Sequence, residues 1–239
     1  MTLPSADDLW AAMDATWPAA RVIEDGPWLL REGRGGGQRV SAATVLRDFS
    51  DADIDNAEGA MRELGQDPIF QIRPGDDVLD AALAARGYAI KDPVHLYAGS
   101  SAEVAATGAN PRTIFNTWPP LAIQKELWGE GGIGPGRIAV MDRASGPKSA
   151  FLARHKDQPV GVGYAAIHNG IAMLHALEVR PSARKEGVGS KMMCALGHWA
   201  QDNDAQILAL AVTKENFAAN ALYVKYGMSV VTSYHYRRI

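Results

Sequence analysis

The segment Val179-Arg180-Pro181-Ser182-Ala183-Arg184-Lys185-Glu186-Gly187-Val188-Gly189-Ser190 places two cations and two glycines at the start of an amphipathic stretch. A helix beginning there leaves its first backbone N–H groups unpaired, and glycines let a diphosphate approach the main chain without a Cβ in the way. Arg184 and Lys185 add positive charge at the same place, although in isolation they read equally as a solvated basic turn. No Gly-Lys-Ser/Thr closes the segment, so it is not a Walker loop. The third glycine and the following acid of a dinucleotide fingerprint are also missing.

This segment resembles motif A of the GNAT superfamily of N-acetyltransferases, as Arg184-x-x-Gly187-x-Gly189 after a strand ending in Val179-x-Pro181. The second half of the family pattern is matched by Asn216-x-x-Ala219-x-x-Leu222-Tyr223-x-x-x-Gly227-Met228, with Met228 where the family usually has an aromatic. The resemblance covers about residues 110–239, with its specific motifs inside 171–228.

It implies an acyltransferase that passes the acetyl group of acetyl-CoA to a primary amine of a small molecule or peptide, by direct attack in a ternary complex. The segment Arg184, Lys185, Glu186, Gly187, Val188, Gly189 and Ser190 is then expected to hold the coenzyme A diphosphate. The main chain of Leu177 and Val179 should pair with the pantetheine arm, and Asn216 and Ala219 should lie along that arm. Tyr223 should face the sulfur and protonate the leaving thiolate. A phenol near ~10 and a thiol near ~8.5 make that transfer roughly matched. On the residues alone, Tyr223 also reads as a core aromatic and Asn216 as a helix N-cap. A different acyl-CoA donor, or a non-catalytic acyl-CoA sensor, is the alternative function.

The amine must lose a proton before attack. His175 is the first candidate base, because Met-Leu-His-Ala-Leu-Glu-Val resembles strands of arylalkylamine-type members where a histidine relays the proton. Glu178 is the second, and structural roles for both stay open. Strict alternation would put Met173, His175, Leu177 and Val179 on one face and Ala176 and Glu178 on the other. Cys194, the single cysteine, reads as a buried structural thiol. The six histidines show no paired ligand spacing, so no metal is expected.

The elements around the motif are an α/β arrangement, a mixed and mostly antiparallel sheet flanked by helices. Strands are expected at 149–154, 159–167 and 171–179, the last two joined by the Asn169-Gly170 hairpin turn. A helix follows over about 187–202 with Val188, Met192, Leu196 and Trp199 on one face. Then come a buried strand 207–212, a helix 216–226 closed by Gly227, and a strand 229–236. Thr117–Trp128 reads as a helix broken by Pro119-Pro120, and Ile138–Asp142 as a short strand.

The first half reads as a helix capped by Ser5, a strand 28–31 and a glycine-rich hairpin tip (33–37) leading to a partner around 39–43. A helix 53–64, strand 69–72, helix 77–86 and strand 95–98 complete it. The small, polar run 99–111 reads as a linker between a domain over 1–100 and a catalytic domain over 110–239. Leu79 to Tyr88 echoes Asn220 to Met228 as helix, glycine cap and strand start, with Leu83 falling where Tyr223 stands. This predicts a tandem of two GNAT-like halves, the first degenerate and without a coenzyme site.

With 239 residues, 47% hydrophobic and 21% charged, the composition excludes a disordered or fibrous chain. No apolar run is long enough to span a bilayer, and no secretory leader is visible, so a cytoplasmic protein without a membrane partner is expected. Residues 1–109 carry a net −9 and residues 110–239 a net +6. Neither half has the cation density of a nucleic-acid binder, but a basic C-terminal half suits an anionic donor. The acidic half would suit a cationic amine if it walls the acceptor site. The protein is expected to be a monomer or homodimer.

Overall fold

The computed structural model describes residues 2–239. Helix α1 (Ala6–Thr16) begins at the expected Ser5, whose hydroxyl accepts from Asp8 N–H while the Asp8 carboxylate accepts from Ser5 N–H. Strands β1 (Arg21–Asp25), β2 (Trp28–Glu32) and β3 (Thr44–Val45) form a small antiparallel sheet. Next come α2 (Asp51–Glu63), β4 (Ile69–Ile72), α3 (Asp77–Ala85), β5 (Ala89–Ser100) and the short α4 (Ser101–Ala105). The second half runs β6 (Ile114–Thr117), α5 (Ala122–Glu130), α6 (Pro135–Arg143), β7 (Lys148–His155), β8 (Gln158–His168) and β9 (Ile171–Val179). It ends with α7 (Val188–Asp202), β10 (Ile207–Thr213), α8 (Phe217–Lys225) and β11 (Ser229–Arg238).

Strands β4 to β11 make one sheet in the order β4-β11-β5-β10-β9-β8-β7-β6. Only β9 and β10 pair parallel within it. Helices α7 and α8 cover one face, where Met192, Leu196 and Tyr223 meet Leu174, Leu208 and Leu210. Helix α1 covers the other, where Leu9, Trp10 and Met13 meet Leu96, Met173 and Ala209. Among the described residues, no helix is long and apolar enough to cross a membrane.

The echo between the halves is a structural repeat. The offset that takes Gly87 to Gly227 takes β4-α3-β5 onto β10-α8-β11. The last strand of each half lies between the last two strands of the other. The pairs Ser229–Ala98 and Arg238–Ala89 exchange under that offset, as a two-fold axis through the β5·β11 seam requires. Each helix is tied to the other half's last strand at an equivalent position. Asp80 of α3 accepts from Arg237 of β11, and Asn220 of α8 accepts from the Tyr97 hydroxyl of β5. The fold is thus two like halves in tandem, in which residues 89–100 of the first half are an inner strand of the second half's sheet. The division at 1–100 and 110–239 separates stretches of chain, not separate sheets.

Several expected elements change. The linker reading of 99–111 gives way at its start: Gly99 and Ser100 end β5, and α4 is packed against α7. Its small side chains mark a close approach, since a Cβ on Gly197 would lie 2.6 Å from Ala105 N. Cys194 is buried there, and its thiol donates to the Ala105 carbonyl. The 138–142 segment is helical because Pro135 occupies the first turn of α6, where its missing N–H costs nothing. Pro119-Pro120 delay the preceding helix to Ala122, and 114–117 becomes an edge strand instead. Residues 38–40 form a single 3₁₀ turn where a strand was expected, and the glycine run before it is no free hairpin tip. A Cβ on Gly36 would sit 2.5 Å from the Val140 side chain.

Candidate active site

The site is built around an irregularity in β9. Val162 pairs with Glu178 and Tyr164 with His175, so β9 carries one residue more than β8 across that interval. Ala176 absorbs the surplus at φ 51°, a left-handed conformation that costs a non-glycine residue roughly 1–2 kcal/mol. The bulge breaks the expected alternation. Leu177 packs on the α7 face with Leu174, whereas His175 faces the α1 side. The same region parts from β10, because parallel pairing stops at Leu174–Leu210. The edge of residues 175–179 facing β10 therefore has no strand partner, which is the opening the expected role of Leu177 and Val179 requires.

The motif loop leads from this opening to α7. Lys185 and Gly187 adopt φ 65° and 75°, and Gly187 is an N-cap with no side-chain hydrogen bond to the first amides. The N-caps Ser5 and Asn216, by contrast, cover theirs. The amides of Val188, Gly189 and Ser190 thus point out of a positively polarised helix end. Arg184 Nε donates to the Val179 carbonyl at 3.0 Å, fixing the cation beside the strand end. Lys185 is exposed. Glu186 leans away, its carboxylate 3.5 Å from His155 Nε2.

Asn216 is the N-cap of α8, its Oδ1 accepting from Ala219 N–H at 3.2 Å. Tyr223 is 5% exposed on the α7 face, its ring 5.8 Å from that of Tyr97. Burial, with the charge of Glu178 second, pushes its phenol well above the ordinary range, so it stays protonated and is a weaker acid than a free phenol.

The two base candidates differ in their surroundings. His175 is buried; its Nε2 lies 2.9 Å from Thr16 Oγ1 and its Nδ1 3.1 Å from an Arg39 Nη1. Thr16 donates its own proton to the Ala12 carbonyl, so it accepts from Nε2–H, and Nδ1 accepts from the guanidinium. Burial and Arg39 hold the imidazole well below its usual range, neutral with both nitrogens engaged. Glu178 is half-buried with no fixed side-chain hydrogen bond among the described residues. Burial raises its carboxyl above the ordinary value, against the opposing charges of Arg184 and Arg137. Gly131 makes room for it, since a Cβ there would lie 2.8 Å from Glu178 Cγ.

On the α1 side of the bulge, a cavity of about 250 Å³ opens between the halves. His175, Ala176, Thr213, Arg39, Arg137 and Tyr234 are among its walls. Sequence reasoning missed Arg39, Arg137 and Tyr234, because they come from three separate segments that carry no motif. The glycine run before Arg39 was the available signal: Gly36 and Gly37 let that chain lie against α6.

Residues 120–228 match the model of the Acetyltransferase (GNAT) family. Over 237 residues, the chain is 28% identical to the uncharacterized N-acetyltransferase YobR of Bacillus subtilis, covering 93% of this chain and 94% of that one. A GCN5-related N-acetyltransferase from Kribbella flavida superposes with a TM-score of 0.70 at 17% identity, over 98% of this chain and 95% of that one. A tandem GNAT protein from the clavulanic acid biosynthesis pathway superposes at 0.62 and 13% identity, over 83% of this chain and 74% of that one. The uncapped glycine turn and the bulged, splayed strand pair lie within the stretch, residues 120–228, that is similar to the acetyltransferase (GNAT) family.

Proposed function

We propose that the protein is an N-acetyltransferase that uses acetyl-CoA as donor and a primary amine as acceptor. The observation that carries this reading is the continuity of three features. An uncapped helix end at Gly187–Ser190 leads to the unpartnered edge of 175–179, and that edge leads to the gap between β9 and β10. The donor set fits a coenzyme A thioester, because diphosphate suits the amides and Arg184, and an extended amide-bearing arm suits a free strand edge. Once bound, that thioester supplies the acyl group.

The chain's residues then divide the proton work. Glu178, whose raised carboxyl is matched to accepting a proton, takes one from the acceptor ammonium. The freed amine attacks the acyl carbon and the carbon–sulfur bond breaks; Tyr223 gives its proton to the departing sulfur, and the proton that the new amide nitrogen sheds restores the phenol. His175 is a positioning residue that braces the bulge through Thr16 and Arg39.

Release of thiol from acetyl-CoA across a panel of amines tests the proposal. Tyr223→Phe keeps the ring packing and removes the proton, so its kcat should fall roughly 10²-fold with little change in KM for acetyl-CoA. Undiminished turnover in that variant would remove Tyr223 from the reaction.

A further inference from the structure

The cavity on the α1 side has a charge that the acidic composition of the first half does not foretell. Arg39 is one of its walls, and Arg39 Nε is buried without a hydrogen-bond partner. No described carboxylate lies within ion-pair distance of Arg39 or of Arg137. Arg39 Nη1 donates to His175 Nδ1, and the Tyr234 and Tyr236 phenols lie against the same guanidinium; these are neutral groups that leave its charge uncompensated. Arg39 is half-buried with its Nε enclosed, and holding its charge there without a counter-charge is costly, so the guanidinium is matched to an anion that arrives from outside. Arg137 stands at the rim beside Gly37, where a Cβ would be 3.2 Å from Arg137 Nε, and gives a second cation on the same cavity. The acid in the lining is Asp92, whose carboxylate already accepts from Gln38 Nε2 at 2.5 Å. Tyr234 and Tyr236 add phenol groups to the same wall.

The cavity also stands in the right place. His175 and Ala176, two of its walls, are the bulge residues at which β9 parts from β10, and Thr213 ends β10. The motif loop and Tyr223 lie on the opposite face. An acceptor seated in the cavity thus reaches the gap from the side away from the donor.

We infer that this cavity is the acceptor site and that it selects a small amine bearing a carboxylate, which Arg39 grips from the wall with Arg137 closing over it. A planar carboxylate matches the guanidinium fork, and about 250 Å³ fits an amino-acid-sized molecule and no large polycation. The inference rests on the acyltransferase reading for the amine, but the anion subsite can be measured without turnover.

The test compares amino carboxylates such as β-alanine, γ-aminobutyrate and lysine with their carboxamide counterparts, in wild type, Arg39→Lys, Arg39→Gln and Arg137→Gln. Turnover is read as thiol release, and binding as the shift in thermal midpoint on adding each compound without acetyl-CoA. At least one carboxylate should exceed its carboxamide by about 10² in kcat/KM. Arg39→Gln should bring the two level, mainly through KM. Arg137→Gln, at an exposed position that does not threaten folding, should narrow the preference about tenfold. Arg39→Lys keeps the charge but loses the fork, and should fall between. In the binding arm, carboxylates should raise the midpoint of wild type and not that of Arg39→Gln. Carboxamides that serve as well as carboxylates, or a preference that survives Arg39→Gln, overturn the anion subsite and leave the transferase reading intact. Carboxylates that bind through Arg39 while no amine is acetylated overturn the transferase reading and leave the subsite standing.

Discussion

Glu178→Gln is expected to slow acyl transfer by about 10²–10³-fold while leaving acetyl-CoA affinity within a factor of a few. The range is that of a positioned general base. Burial, partly offset by Arg184 and Arg137, raises the Glu178 carboxyl above its ordinary value. In the wild type, kcat/KM for the amine should therefore climb with pH through a limb displaced upward from that of an ordinary carboxylate. Glutamine has nothing to titrate, so the limb should vanish with the rate. His175 contributes no such limb, because it is neutral and hydrogen-bonded at both nitrogens. A pH–rate profile of the two proteins checks this. A limb that persists in the variant would return the proton to another group.

The largest effect on stability is expected at Asp80. Its carboxylate accepts from Arg237 Nε at 2.6 Å, from an Arg237 Nη2 at 3.0 Å and from His235 Nε2 at 2.8 Å, tying α3 to the strand that the other half contributes. Arg237 is buried, so Asp80→Ala leaves a cation without its partner, at a cost of about 3–5 kcal/mol. That lowers the thermal midpoint by roughly 6–20 °C in a chain of this size. The pairing depresses the folded-state pKa of Asp80. Its contribution is therefore full above the unfolded-state value and is lost as pH falls through the folded one. Asp80→Asn should accordingly narrow the stability gap between neutral and acidic pH. The equivalent site in the other half, Asn220 with the Tyr97 hydroxyl, is a neutral hydrogen bond, and Asn220→Ala should cost only about 1 kcal/mol. Differential calorimetry across pH measures all three, and a midpoint within 2 °C of wild type for Asp80→Ala would contradict the clamp.

What the sequence made legible was whatever local chemistry encodes. Gly187 is needed at positive φ, Asn169-Gly170 turns a tight hairpin, Ser5 caps α1, and the Gly87–Gly227 echo exposed the repeat. What it hid depends on contacts between distant segments. Nothing in Met-Leu-His-Ala-Leu-Glu-Val marks Ala176 as the residue that takes the bulge, so strict alternation put His175 and Leu177 on one face. The small residues of 99–105 looked flexible, because their partner Gly197 lies far along the chain. Net charge does not resolve the cavity either: the acids of the first half lie mostly on its surface, and the charged groups it presents there are Arg39 and Asp92.

The central claim is that the Gly187–Ser190 turn receives the diphosphate of acetyl-CoA, and calorimetric titration of wild type beside Gly187→Glu tests it directly. Gly187 sits at φ 75° with open space around its Cβ position, so the variant carries modest backbone strain and a carboxylate at the mouth of the anion site. Micromolar binding is expected of the wild type, and none of a variant whose circular dichroism is unchanged. Absence of binding by the wild type, or equal binding by both, would contradict it.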